Sequence, residues 1–209
     1  MPVRAPLYPV GLVVDGRRCL VVGGGRIAAR KVDGLRSCGA IVHVIAPDVG
    51  AAVKALPGVT WDERPYAAGD ADGYRLVVTA TGDPAVDQQV FDDAERAGVW
   101  VNSADDPDRC SFTLPATVRR GPVLVTVSTG GHSPALATWL RDDIASRLGP
   151  EYETLVELLS DARNEIRASG RSTEGVDWHK ALDSEMLELI RAGLVTEARE
   201  RLRSCLSSS

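Results

Sequence analysis

The sequence predicts an α/β fold: a parallel sheet flanked by helices, followed by a smaller and mainly helical region. Three observations lead there. Short β-branched runs alternate with helical patterns through the first half of the chain, a glycine-rich turn joins one such run to a helix, and the pattern is helical from Ser133 onward. At 209 residues the chain is long for one small domain and short for two full-sized ones, since domains cluster near ~100–200 residues. One main core with a smaller appendage is expected.

Taken in order, Val13–Val22 places Asp15-Gly16 between apolar runs, a tight-turn signal, and Cys19–Val22 reads as the first strand. Ile27–Ser37 carries Ile27, Val32 and Leu35 on a helical face. Ile41–Ile45 is the second strand, Ala51–Leu56 a short helix and Val59–Glu63 a third strand. Leu76–Thr79 is the fourth strand, Ala85–Ala97 a helix and Val99–Asn102 the fifth. Beyond Asn102 the rhythm changes: Ser111–Val118 and Val123–Ser128 are β-prone runs joined by Arg119-Arg-Gly-Pro122, which fits a hairpin or a pair of extended arms. The helical remainder is punctuated at Gly149-Pro150 and between Gly170 and Gly175, and residues 207–209 read as a loose tail. The boundaries predicted are 1–114, 115–148 and 149–209.

Composition narrows the function. A hydrophobic fraction of 44% with 25% charged residues argues against disorder, and no apolar run approaches the ~20 residues of a bilayer span. The N-terminal Met-Pro-Val-Arg-Ala-Pro-Leu-Tyr lacks the apolar stretch of a secretory signal, so cytoplasmic residence is expected. A net charge of -5 counts against nucleic-acid binding, and 5% aromatic residues against base-stacking platforms. Cys19, Cys38, Cys110 and Cys205 make no CxxC pair, and His43, His132 and His179 lie far apart, so no dedicated metal site is expected.

Val21-Val-Gly-Gly-Gly-Arg-Ile-Ala28 contains G-x-G-x-x-A as Gly23, Gly25 and Ala28, after a strand and opening a helix. Gly23 suits the tight turn, Gly25 allows backbone to approach a pyrophosphate, and Ala28 permits close helix packing; the helix N-terminus supplies free N–H groups and the positive dipole end. The acid nearest the end of the second strand is Asp48, and no Arg or Lys lies between Ala40 and Val53 to meet a 2′-phosphate, which favours NAD over NADP. Asp48 follows Pro47, and the sequence leaves open whether it grips a ribose or is a solvated loop acid.

Ligands of open α/β sheets bind at strand C-terminal ends, which puts Thr79, Ala80, Thr81 and Asn102 beside the nicotinamide. Asp105 is the acid closest to hydride transfer and suits a general base, although Asp105-Asp-Pro-Asp108 is also turn chemistry. Ser128–Ala135 runs from a strand into a helix. Ser133 as N-cap and Pro134 at the first helical position explain it structurally, while its hydroxyls and His132 also suit an anion or substrate loop.

The ordered set Leu-Val-Val-Gly-Gly-Gly-Arg-Ile-Ala-Ala-Arg-Lys31, Val-Thr-Ala-Thr-Gly-Asp83, Val-Asn-Ser-Ala-Asp105, Cys-Ser-Phe-Thr-Leu-Pro115, Val-Ser-Thr-Gly-Gly-His-Ser-Pro134 and Leu-Arg-Asp-Asp-Ile144 resembles the precorrin-2 dehydrogenase family. That family includes standalone dehydrogenases, the yeast bifunctional dehydrogenase and ferrochelatase, and the N-terminal module of bacterial sirohaem synthase. The resemblance runs from about Leu7 to Leu148. It implies NAD-dependent oxidation of precorrin-2 to sirohydrochlorin, on the route to sirohaem or cobalamin, and in bifunctional members ferrous-iron insertion in the same pocket. It also implies a Rossmann-like domain, a central dimerisation segment, a small helical C-terminal region, and arms exchanged in a homodimer. The family aspartate falls on Asp105. Cofactor contacts fall on Arg26, Ile27, Pro47 and Asp48, beside Gly23, Gly24, Gly25 and Ala28. The pocket serine that can be phosphorylated in sirohaem synthase aligns with Thr129, with Ser128 matching the serine before it.

Precorrin-2 is fringed with carboxylates, for which Arg109, Arg119, Arg120, Arg141 and His132 are candidate partners. Val118, Val123, Val125 and Val127 need cover that a short hairpin does not supply alone, which a second copy would provide. Competing readings are a bifunctional dehydrogenase and ferrochelatase and, in a different class, an NAD-binding sensory or regulatory module. Dehydrogenase activity with weak or absent chelatase activity is expected.

Overall fold

The computed structural model describes residues 6–207. The first five residues of the N-terminal reading and the last two of the expected serine tail lie outside the described residues. The chain folds as two compact units: one runs to Leu114 and takes in Gly130–His132, and the other comprises Pro115–Thr129 and the residues from Ser133 onward.

The first unit is built on a parallel sheet of β1 (Arg18–Val22), β2 (Ile41–Ala46), β3 (Thr60–Glu63), β4 (Leu76–Thr79) and β5 (Trp100–Ser103), in the order β3-β2-β1-β4-β5. This is the expected Rossmann-like α/β sheet. Cys19 and Val21 of β1 pack with α1 (Arg26–Arg36) and α2 (Ala51–Lys54), while Leu20 and Val22 pack with α3 (Pro84–Ala97) on the other face. Cover on both faces is why β1 and β4 read as continuous apolar runs rather than alternating ones. In α1 the inward residues are Ala28, Val32 and Leu35. Ile27, expected on that face, is 42% exposed: five residues before Val32, it lies about 140° around the helix from it.

Local signals set the boundaries. Val14 C=O accepts from Arg17 N–H at 2.9 Å across the predicted turn, with Gly16 at φ 63°. Asp83 caps α3 by accepting from Ala85 N–H at 2.9 Å, Pro84 follows at the first helical position, and Gly98 ends the helix at φ 66°. The run at 111–118 forms a strand only from Ala116. Its first part instead covers the free edge of β5: Ser111 N–H donates to Val101 C=O at 2.8 Å, and Val101 N–H to Ser111 Oγ at 2.7 Å. An otherwise open sheet edge is thereby blunted.

Asp93, buried on α3, accepts from Arg96 at 2.7 Å, Tyr66 Oη at 3.1 Å and Gly69 N–H at 3.2 Å. Burial pushes its carboxyl up, but the hydrogen bonds from Arg96, Gly69 and Tyr66 outweigh it and hold the group below the ordinary carboxylate range. The stability it contributes is therefore complete above the unfolded value of about 3.9 and is lost as pH falls through the folded one. Thermal unfolding across an acid series is expected to show a steeper loss below about pH 4 for the parent than for Asp93→Asn; parallel curves would remove Asp93 from the acid limb.

The second unit opens with a hairpin of β6 (Ala116–Arg120) and β7 (Val123–Val127), joined through Gly121, at φ 52°, and Pro122. Against it pack α4 (Pro134–Arg147) and α5 (Glu151–Ala168). Ser133 caps α4 by accepting from Leu136 N–H at 3.2 Å. The valine face of the hairpin has part of its cover within its own chain: Val118 is buried and Val123, Val125 and Val127 are half-buried. On the hairpin and α4 the exposed apolar side chains include Leu124, Leu136 and Trp139, the last at 64%. A separate cluster joins Leu155, Leu158 and Ile166 of α5 to Met186 and Ile190 of α6 (Ser184–Arg191) and Leu202 of α7 (Val195–Ser207). Among the described residues no helix is long and apolar enough to cross a membrane.

Candidate functional site

Strand order reverses between β1 and β4, so the loops leaving their C-terminal ends diverge and open a crevice between them, the position where such sheets take ligands. The glycine turn sits there and is held from both sides. A Cβ on Gly23, at φ 122°, would stand 2.3 Å from Ala80 O. One on Gly24 would stand 2.0 Å from Asp48 O, and Gly50 N–H donates to Gly24 O at 3.0 Å. A Cβ on Gly25 meets nothing within 4 Å.

The start of α1 is open in a second sense. Its N-cap, Gly25, offers no side-chain acceptor, and its first turn carries no acidic residue, whereas α3 is capped by Asp83. The first N–H groups of a helix have no intrahelical acceptor, so Arg26, Ile27 and Ala28 leave donors at the positive dipole end facing a side-chain-free turn. Ser103 Oγ, at the last position of β5, is buried without a hydrogen-bond partner among the described residues. A glycine cradle, an uncapped helix start and an orphaned hydroxyl at the strand tips fit a dinucleotide with its pyrophosphate on α1.

At the end of β2, Pro47 and Asp48 are both exposed. Beside them Glu63, at the end of β3, accepts from Val49 N–H at 3.3 Å and from Lys54 Nζ at 2.7 Å. The hydrogen bond from Lys54, helped by Val49 N–H, holds the Glu63 carboxyl below its ordinary range.

The tips of β4 and β5 divide into buried scaffolding and open chemistry. Thr79 is fully buried and its hydroxyl donates to Asp87, which also accepts from Thr81 Oγ1 at 2.6 Å. Ala80 packs its backbone on Gly23. Asn102 is buried and donates to Phe112 O at 3.0 Å. The Thr79 and Asn102 side chains therefore brace the loops, leaving backbone to face a ligand. Asp106 is engaged, accepting from Asp108 N–H at 2.9 Å and pairing with Arg109 at 3.0 Å. Asp105 is exposed. Its charge acts on Lys31 of α1, whose ammonium is held below the usual lysine range by burial and by Arg30, with Cys110 and Asp105 pulling the other way. Lys31 stands in the quoted glycine motif, but periodicity alone does not bring it to the loop after β5.

A family model described as “Putative NAD(P)-binding” matches residues 10–116, half of the chain, and one described as “Sirohaem biosynthesis protein central” matches residues 120–147. The chain belongs to this NAD(P)-binding family. Siroheme synthase of Nitrosomonas eutropha is 34% identical over 97% of the chain and 44% of its own length. Siroheme synthase of Nitrosococcus oceani is 37% identical over 95% and 43%. The chain thus spans less than half the length of these curated relatives. A solved structure titled “SirC, precorrin-2 dehydrogenase” aligns with a TM-score of 0.70 and 29% identity, covering 95% of this chain and 98% of that one. The resemblance to precorrin-2 dehydrogenases holds across both units.

Among the residues that the family resemblance offers for substrate, the first unit contains Arg109 and the exposed His132. Arg109 is set rigidly, donating through Nε to Gln88 at 2.8 Å. In the second unit the alternation of β6 turns Arg119 and Arg120 to opposite faces of the hairpin. Arg120 Nε donates to Leu148 O at 2.8 Å, at the end of α4, while Arg119 is exposed. Arg141 pairs with the adjacent Asp142 at 2.7 Å. Ser128 is exposed, whereas the Thr129 hydroxyl donates to Ser133 O at 3.0 Å and accepts Ser133 N–H at 3.1 Å, closing the turn into α4. Among the described residues no group of three or more His, Cys, Asp or Glu side chains converges as for a metal ion.

Proposed function

We propose that the protein is an NAD-dependent precorrin-2 dehydrogenase of the cytoplasm, oxidising precorrin-2 to sirohydrochlorin. The observation that carries this is the uncapped, glycine-cradled start of α1 at the crevice of a parallel sheet whose β5 tip presents an exposed carboxylate. The solved neighbour's title supports the substrate. In this reading the N–H groups of residues 26–28 bind pyrophosphate, and Asp48 accepts from the adenosine ribose hydroxyls. Bound NAD supplies the hydride acceptor. Asp105 takes the proton that precorrin-2 gives up as its carbon loses hydride, so one hydride and one proton leave together and the ring gains a double bond. Arg109, already aligned by Gln88 and Asp106, and His132 serve the substrate carboxylates. Residues 1–114 are then the cofactor domain, 115–148 the dimerisation segment and 149–209 the helical remainder.

The test is incubation of the protein with precorrin-2 and NAD, following NADH absorbance and the sirohydrochlorin spectrum. Equal formation of both is expected, and the appearance of neither would remove the enzyme reading. Leu136 and Trp139, exposed one turn apart on α4, give the proposed homodimer its apolar face. Trp139→Glu is expected to turn a dimer into a monomer at micromolar concentration in sedimentation velocity; a monomeric parent, or a variant that still dimerises fully, would refute that assignment.

A further inference from the structure

An acid beyond the second strand of such a sheet favours the free ribose hydroxyls of NAD, and a cation there favours the 2′-phosphate of NADP. Residues 40–53 contain no Arg or Lys, but the fold brings one to this edge. Lys54 ends α2, and its Nζ lies 2.7 Å from Glu63 Oε1, the atom that also accepts Val49 N–H at 3.3 Å directly after Asp48. The 48–50 loop is itself seated on the glycine turn, through Gly50 N–H to Gly24 O and the approach of Asp48 O to Gly24. Arg64, the next cation along, is taken up by Asp70 at 2.6 and 2.9 Å.

We propose that Glu63 is a specificity-determining residue: by pairing Lys54 and adding its charge to that of Asp48, it withholds the Lys54 ammonium from the cofactor and so disfavours NADP. The inference rests on the NAD reading above and deepens it. The Lys54–Glu63 pair is partly exposed, at 38% and 46%, so it contributes little to stability. Its effect is on where the ammonium points. Lysine carries a compact charge on a flexible stem, and once released from Glu63 it is drawn to the doubly negative 2′-phosphate.

Glu63→Gln keeps an oxygen acceptor for Val49 N–H while removing the charge that holds Lys54. In titrations of the full chain with NAD and with NADP, this variant is expected to bind NADP about tenfold more tightly than the parent at low ionic strength, with NAD affinity unchanged. The gain should shrink as salt screens it and vanish when Lys54→Met is added. A parent that prefers NAD but shows no gain with Glu63→Gln, or a gain that survives Lys54→Met, overturns the role of Glu63 and leaves the NAD reading standing. A parent that binds NADP as tightly as NAD, or binds neither, overturns both.

Discussion

Asp105→Ala is expected to lower the rate of precorrin-2 oxidation by about 10²–10⁴-fold, the range for removing a positioned general base, while the variant folds and binds NAD as the parent does. The side chain is exposed, and substitution at such a surface position changes stability by no more than about 0.5 kcal/mol. Its neighbour Asp106 organises the loop through Asp108 N–H and Arg109, so the control is replacement of the exposed Asp108 of the same loop, Asp108→Ala. Thermal unfolding and NAD titration establish that the two variants remain folded and cofactor-competent. Single-turnover NADH formation then separates the roles. Near-parental turnover in Asp105→Ala would return Asp105 to the loop. The same variant offered sirohydrochlorin and ferrous ion tests iron insertion: rapid insertion by the parent that depends on Asp105 would establish a bifunctional enzyme.

Two adjacent glycines are expected to fail in opposite ways. In Gly24→Ala the new Cβ would stand 2.0 Å from Asp48 O and 2.9 Å from Val49 Cα, both backbone, so the 48–50 loop must move and its hydrogen bond to Gly24 is strained. A cost of about 1–3 kcal/mol is expected for such overpacking, lowering Tm by roughly 2–4 °C for each kcal/mol in a chain of this size. Gly25→Val meets open space and takes an extended conformation, φ -81° and ψ -172°, which valine tolerates. Its Tm should match the parent, but its side chain fills the approach to the α1 N–H groups, and NAD affinity is expected to fall by about tenfold or more as charged hydrogen bonds are lost. A stable Gly24→Ala, or a Gly25→Val that binds NAD normally, would show that the turn is held or used differently.

Much of the first unit was legible because a sheet covered on both faces writes its strands as unbroken apolar runs. Leu76–Thr79 is such a run and forms β4 over those four residues. The helix after the glycine turn is equally plain, but apolar spacing alone does not place Ile27, where a one-residue difference separates the core from solvent. The run at 111–118 misled for another reason. β-propensity reports a fit to an extended, half-buried surface, not which strand is the partner, and here Ser111 pairs with the edge of β5 while the hairpin begins at Ala116. The valines of the hairpin posed the same difficulty: their need for cover was readable, but not that α4 and α5 of the same chain supply part of it.

By itself the sequence determined the α/β class, the order of strands and helices in the first unit, the glycine turn with its dinucleotide chemistry, and the capping of α4. These depend on neighbours a few residues apart, through side-chain periodicity, steric demands at glycine and short-range hydrogen bonds. Only the tertiary structure decided that Gly24 is pinned against Asp48, that Arg119 and Arg120 face opposite ways with Arg120 spent on Leu148, that the Ser103 hydroxyl at the strand tips is buried without a partner among the described residues, and that Lys54 answers to Glu63. Those facts follow from strand order and register, which bring distant loops to one edge of the sheet. Sheet topology is set by the packing of the whole core, and no local pattern in the chain carries it.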